Sequence, residues 1–138
     1  LQQFEARWKD NSLVMDKWFS LQATASHAQV LDIVILLMDH PEFSMKNPNK
    51  VRSLLRSFAS NPTGFHRKDG AGYAFLADRV LELDPINPQV ASRLASALVR
   101  WRRYRAPWST SMKAELQRIL EQGKLSKDTF EMVTKSLA

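Results

Sequence analysis

Apolar residues recur at helical spacing along almost the whole chain, and no stretch sustains the strict alternation of a half-buried strand. The pattern predicts an all-α fold. Leu1, Phe4 and Trp8 mark a short opening helix, and Ser12 is placed to cap a second that carries Val14, Met15, Trp18, Phe19 and Leu21. Ser26 with Gln29 three residues on reads as a capping box for a helix over 30–38, whose nearly all-round apolar surface implies burial on several sides. That helix is expected to end at His40, before Pro41, with the imidazole near the terminal carbonyls. Asn47 or Asn49 starts the next, with Val51, Leu54, Leu55 and Phe58 on one face, and Asn61-Pro62 followed by Gly64 breaks it.

A polar turn through His66 and Asp69-Gly70 leads to a helix holding Tyr73, Leu76, Ala77, Val80 and Leu81, which Asp84-Pro85 closes. Asn87-Pro88 supplies an N-cap with proline at the first helical position, opening a helix through Val90, Ala91, Leu94, Leu98 and Trp101. Pro107 restarts the chain for Met112, Leu116, Ile119 and Leu120, and Gly123 stops it. Ser126 caps a final helix with Phe130, Val133 and Leu137.

Ser12, Asn49, Pro88 and Ser126, taken as starts of successive first helices, are 37, 39 and 38 residues apart. A two-helix unit of this length is the signature of HEAT or armadillo-like repeats, so the expected architecture is a stack of helical hairpins forming a small superhelical solenoid. The segments Asn47-Pro48-Asn49-Lys50-Val51-Arg52-Ser53-Leu54 and Asn87-Pro88-Gln89-Val90-Ala91-Ser92-Arg93-Leu94 resemble each other. First helices of such a stack line one side, so Arg52 and Arg93 are expected to project onto one surface. Asn-Pro is also ordinary helix-start chemistry, and capping alone accounts for it.

At 138 residues the chain has the length of one domain, 1–138, and its 44% hydrophobic and 25% charged residues are ordinary globular composition. The net charge of +6 permits an acidic partner without requiring one. The absence of cysteine excludes disulfides, thiol nucleophiles and Cys-ligated metal sites. The longest apolar run, 30–38, falls well short of the roughly 20 residues that span a bilayer, so no membrane partner is expected. A start at Leu1, without Met or a signal-peptide pattern, is read as that of a piece of something larger.

Autonomous catalysis finds little support. His27, His40 and His66 are too scattered for a zinc-binding helix, so no metal site is assigned. Gly70-Ala71-Gly72 lacks the rest of a phosphate loop, and no nucleophile elbow occurs. The densest charged feature is Arg100-Trp101-Arg102-Arg103-Tyr104-Arg105. Cations interleaved with aromatics can grip phosphates and stack bases, yet the same run is expected at the end of a helix, with Trp101 anchored in the core and the arginines solvated. A freestanding binding module for nucleic acid or protein is therefore the alternative reading, with nucleic acid disfavoured.

Longer motifs go beyond composition. Leu13-Val14-Met15-Asp16-Lys17-Trp18-Phe19, the two Asn-Pro segments, Phe65-His66, Asp69-Gly70-x-Gly72-Tyr73 and the ending Lys135-Ser136-Leu137-Ala138 together resemble the C-terminal domain of the bacterial aminopeptidase N family, alanyl aminopeptidases of the gluzincin class. The resemblance runs over essentially all 138 residues, with one departure, a slightly shorter loop at Ala59-Ser60-Asn61-Pro62. It implies the last, helical-repeat domain of a large cytoplasmic zinc exopeptidase. The zinc, the catalytic residues and the substrate's amino-group site would belong to a preceding domain of the same polypeptide. This chain itself would be non-catalytic and hold no cofactor. Its part would be to close over the catalytic domain, forming a chamber that admits short peptides and excludes folded proteins. Arg52, Gln89 and Arg93 match chamber-facing positions of the family, with Asn47, Asn49 and Asn87 as weaker candidates. Their implied role is to orient the C-terminal side of a peptide, because a guanidinium can pair with a carboxylate or with backbone carbonyls.

Overall fold

Capping side chains fix where several of the helices begin. In the computed structural model, which describes residues 12–122 and 124–138, Asn47 is extended and its side chain accepts from the backbone N–H groups of Asn49 and Lys50, with Pro48 at the first helical position. Asn87 repeats the device ahead of Pro88, accepting from Val90 N. Ser126 Oγ accepts from Thr129 N. Each side chain satisfies a donor that the helix leaves unpaired. The opening helix expected over Leu1, Phe4 and Trp8 and the stop at Gly123 lie outside the described residues. The described residues are helical or irregular, without a strand, and the chain divides into two units, Leu1–Gly64 and Phe65–Ala138.

In the first unit, α1 (Ser12–Ala23) is followed by α2 (Val30–Leu37) and by α3 (Pro48–Val51), which continues through a π-helical segment (Arg52–Arg56) into α4 (Ser57–Ala59). Met15, Trp18 and Phe19 of α1 are buried, as are Val51, Leu54, Leu55 and Phe58 on the expected face of the helix that runs from α3 into α4. Each such side chain contributes about 1.5–3 kcal/mol through loss of apolar surface to water. Asn61, buried, donates to the carbonyls of Ala23 and Ala25 at 3.0 and 2.9 Å, closing the end of α1, and accepts from Thr63 N at the start of α5 (Pro62–Phe65). Gly64 does more than interrupt a helix. A Cβ there would stand 2.7 Å from Phe58 Cε1 and closer still to Val30 Cγ1.

Three expectations for this unit are corrected. No capping box forms at Ser26: Gln29 occupies the cap position without a side-chain hydrogen bond, and backbone turns from His27 and Gln29 start α2 instead. That helix ends at Leu37 and is buried on one face only, through Val30, Leu31, Val34 and Leu37, while Leu36 is 70% and Ile35 46% exposed. Asp32 is the one polar residue on the open side, and the apolar Ile35 and Leu36 beside it hide that face in the pattern. His40 bonds into the segment that follows the helix. Its Nδ1 accepts from Glu42 N at 3.0 Å, and its ring packs against Trp18 and Phe19.

The second unit contains α6 (Ala71–Leu83), α7 (Pro88–Ala95), α8 (Trp108–Glu121) and α9 (Lys127–Leu137). Helix α7 packs on α6 and α9, and α8 packs on the same two. Tyr73, Leu76, Ala77 and Val80 from α6, Ala91, Leu94 and Leu98, Met112, Leu116 and Ile119, and Val133 form its core. Phe130, expected inside, is half exposed. The helix from Asn87 does not run to Trp101: it tightens to 3-10 geometry at Ser96–Leu98, breaks, and gives a second 3-10 turn at Trp101–Arg103. The Ser96 hydroxyl bonds back to Arg93 O where the change occurs, a local competitor of the helical ladder.

Candidate functional site

The residues singled out by the Asn-Pro segments lie on two helices, one in each unit. In the first, Asn47 is spent on its cap. Arg52 is exposed and opens the π-helical segment, and its Nη2 donates to Asn49 Oδ1 at 2.6 Å. No carboxylate among the described residues pairs with it. In the second, Asn87 is spent on its cap, and Gln89 and Arg93 are exposed on α7. Arg93 likewise has no carboxylate partner among the described residues, whereas Arg67, Arg79 and Arg118 are all engaged by carboxylates. Arg52 and Arg93 do not occupy equivalent positions after their caps. Counting from the asparagine, Arg52 is fifth and Arg93 sixth, and the intervening pattern differs: Ser53 is buried beside Arg52 and Ser92 beside Arg93.

Several functional-looking contacts were missed by sequence reasoning. Lys50 is buried and forms a 2.6 Å ion pair with Asp16 of α1, with the two side chains 4% and 17% exposed. The ammonium also lies over the Phe19 ring at 5.8 Å. A signal existed, because Lys50 stands where the matching Asn-Pro segment has the apolar Val90. The wide turn at Arg52–Arg56 left no such trace.

His66 is not a solvated turn residue. Its Nδ1 lies 2.6 Å from the Tyr73 hydroxyl, its ring stacks on Tyr104 with centroids 4.8 Å apart, and its carbonyl accepts from Trp108 Nε1 at 2.9 Å. Burial pushes the imidazole's pKa below its ordinary value. Burial, with a smaller effect of Tyr104, pushes the Tyr73 phenol up to about 12. This cluster holds the 3-10 turn and α8 against the start of α6, and Tyr73 within it is fully buried.

The four arginines of the basic run are exposed, as the helix-end reading expects, but the run forms a separate 3-10 turn. Trp101 is half-buried rather than in the core, and its indole N–H donates to Ser136 O at 3.2 Å. Arg102 lies 4.3 Å and Lys113 5.1 Å from its ring centroid, and Arg105 lies over Trp108 at 5.6 Å. Arg102 further donates to the carbonyls of Ser136 and Ala138. The aromatics thus contact cations or His66 of the protein itself, which is not how a stacking platform for bases is built. A groove of about 660 Å³ beside this turn is lined by cations and anions together, among them Arg102, Lys135, Asp128 and Glu131. Among the described residues no group of three or more His, Asp or Glu side chains is placed to hold a metal, and no helix is long and apolar enough to cross a membrane.

Comparison with known proteins gives a consistent picture. A family model described as a domain of unknown function (DUF3458_C) with ARM repeats matches residues 1–138. Aminopeptidase N of Escherichia coli (strain K12) is 48% identical over 139 residues, which cover 100% of this chain and 16% of that protein. Aminopeptidase N of Haemophilus influenzae is 49% identical over 138 residues, 99% of this chain and 16% of that protein. The matching part is the C-terminal region of these enzymes. The crystal structure of Legionella pneumophila aminopeptidase A in complex with aspartic acid superposes with a TM-score of 0.95 at 37% identity, covering 99% of this chain and 16% of that one. The chain therefore spans about a sixth of the length of the relatives it matches.

Proposed function

The chain belongs to the DUF3458_C family of ARM-repeat domains, and on that premise we propose that it is the C-terminal accessory domain of a zinc-dependent aminopeptidase, a chamber wall that orients short peptides while hydrolysis takes place elsewhere in the same polypeptide. The observation that carries this reading is the state of Arg52 and Arg93. Each is exposed on a helix that an Asn-Pro cap opens, and neither guanidinium is neutralised by a carboxylate among the described residues. A planar fork of N–H donors with no carboxylate partner suits a peptide's C-terminal carboxylate or its backbone carbonyls, and the contact gains strength where the catalytic domain excludes water.

Gln89, exposed earlier on the same helix as Arg93, offers an amide that donates to and accepts from a peptide backbone. Asn47 and Asn87 act through their caps, holding the two helix starts in place. No bond-breaking step is assigned to this chain. Its part is geometric: closing over the catalytic domain limits entry to short peptides, and anchoring the distal end brings the N-terminal residue into register with the metal centre. As the last domain of a cytoplasmic enzyme, it has the preceding domains and short peptides as its partners.

The test is substrate-dependent. In the full-length polypeptide, Arg52→Ala and Arg93→Ala are expected to lower kcat/KM on tripeptides by about 10- to 100-fold, the value of a charge-assisted hydrogen bond of ~1.5–3 kcal/mol. Aminoacyl anilides, which lack a distal carboxylate, should lose far less. Equal losses on both substrates would remove the positioning role.

A further inference from the structure

The guanidinium of Arg52 is held before any ligand arrives. Its Nη2 donates to Asn49 Oδ1 at 2.6 Å, and Asn49 has that oxygen to spare because Asn47, not Asn49, caps the helix and accepts the Asn49 backbone N–H. The turn beneath Arg52 is tied down as well. In the π-helical segment the Ser57 N–H reaches Arg52 O and Leu54 O and bypasses Ser53 O, the acceptor it would take in an α-helix. Ser20 Oγ of α1 donates to that released carbonyl at 3.1 Å, and Ser57 Oγ donates to Ser20 Oγ at 3.2 Å. One turn earlier the buried Asp16–Lys50 pair joins the same two helices. Arg52 therefore projects from backbone anchored to α1 at two levels, with its tip clamped by a neighbour on its own helix.

We propose that Asn49 is a positioning residue that aims Arg52 at the substrate, a role that rests on the chamber reading of Arg52 given above. One Nη2 hydrogen goes to Asn49, leaving the other guanidinium N–H groups for a peptide carboxylate. A free arginine loses much of its rotamer freedom on binding, and the clamp removes part of that loss in advance.

The experiment is a double-mutant cycle in the full-length polypeptide, with a tripeptide bearing a free carboxylate and an aminoacyl anilide as substrates. Asn49→Ala is expected to raise the tripeptide KM about three- to tenfold, against less than about twofold for the anilide. In the Arg52→Ala background the same change should add less than about twofold, because the group it aims is gone. A rise of equal size in both backgrounds, or none in either, overturns the assignment of Asn49 while leaving Arg52 in place. If Arg52→Ala itself leaves the tripeptide kcat/KM unaltered, the chamber reading fails first and takes this inference with it.

Discussion

Asp84 closes the second unit and offers a sharp test of how its helices are held. It follows α6, is 4% exposed, and accepts from Ser126 N at 2.6 Å, Ser126 Oγ at 2.6 Å and Thr129 Oγ1 at 2.7 Å. Ser126 is in turn the cap of α9, so one carboxylate at the end of α6 completes the start of α9, where the helix dipole favours a negative charge. Asp84→Ala removes all three acceptor contacts and leaves the fully buried Thr129 hydroxyl without them. Hydrogen bonds to a charged group are worth ~1.5–3 kcal/mol each but are not additive around one carboxylate, so the expected loss is about 3–5 kcal/mol. Asp84→Asn keeps one acceptor oxygen, and the Ser126 and Thr129 hydroxyls can rotate to accept from the new amide, so about 1–2 kcal/mol should go. At about 3 °C per kcal/mol the alanine variant melts roughly 9–15 °C lower. Urea unfolding of the 138-residue chain followed by circular dichroism measures both. Since α9 packs on α7, which carries Gln89 and Arg93, the same loss should loosen that helix. An alanine variant within about 1 kcal/mol of wild type, or no more affected than the asparagine variant, refutes the reasoning.

Other outcomes follow from the same contacts. Gly64→Ala should destabilise the first unit by about 1–3 kcal/mol, as its methyl meets Val30 and Phe58, and an unchanged denaturation midpoint would show that the core yields. The depressed pKa of His66 means that the unfolded chain takes up a proton the folded one resists. Stability should therefore be full above pH ~6.5 and decline as pH falls through the folded value. Tyr73 gives the opposite limb: the unfolded phenol ionises near pH ~10 and the folded one at about 12, so stability is lost as pH rises across that window. Melting curves of Tyr73→Phe should lack the alkaline limb, and its persistence would assign the effect elsewhere. For the basic run, binding to a single-stranded oligonucleotide should be negligible at physiological salt, and tight binding there with a steep salt slope would revive the nucleic-acid alternative.

The helix starts were legible in the sequence because capping is local. Asn47, Asn87 and Ser126 each needed only a polar side chain before an apolar period, and each caps as expected. Burial faces were legible where polar residues marked the other side, as in Val51, Leu54, Leu55 and Phe58. They were harder to read in α2, where Asp32 alone marks the open face and the exposed Ile35 and Leu36 beside it are apolar. The Ser26–Gln29 box fitted a pattern that the chain did not use, since a backbone turn satisfied the same end. Long-range polar contacts left the weakest trace. The Asp84 clasp, the Asp16–Lys50 pair and the Ser20–Ser53 bond join residues more than 30 positions apart, and neither periodicity nor short motifs carry that information. For the candidate site, sequence picked out Arg52, Gln89 and Arg93. What it did not single out was the clamp on Arg52, an i,i+3 contact with Asn49 whose spacing many helical pairs share.

The most direct measurement is a structure of the full-length polypeptide with a slowly cleaved tripeptide bound at its catalytic centre. The account predicts the Arg52 or Arg93 guanidinium at about 2.7–3.0 Å from the peptide's carboxylate or carbonyl oxygens, with every metal ligand supplied from outside these 138 residues. A bound peptide with both arginines on the outer surface, remote from it, would contradict the account.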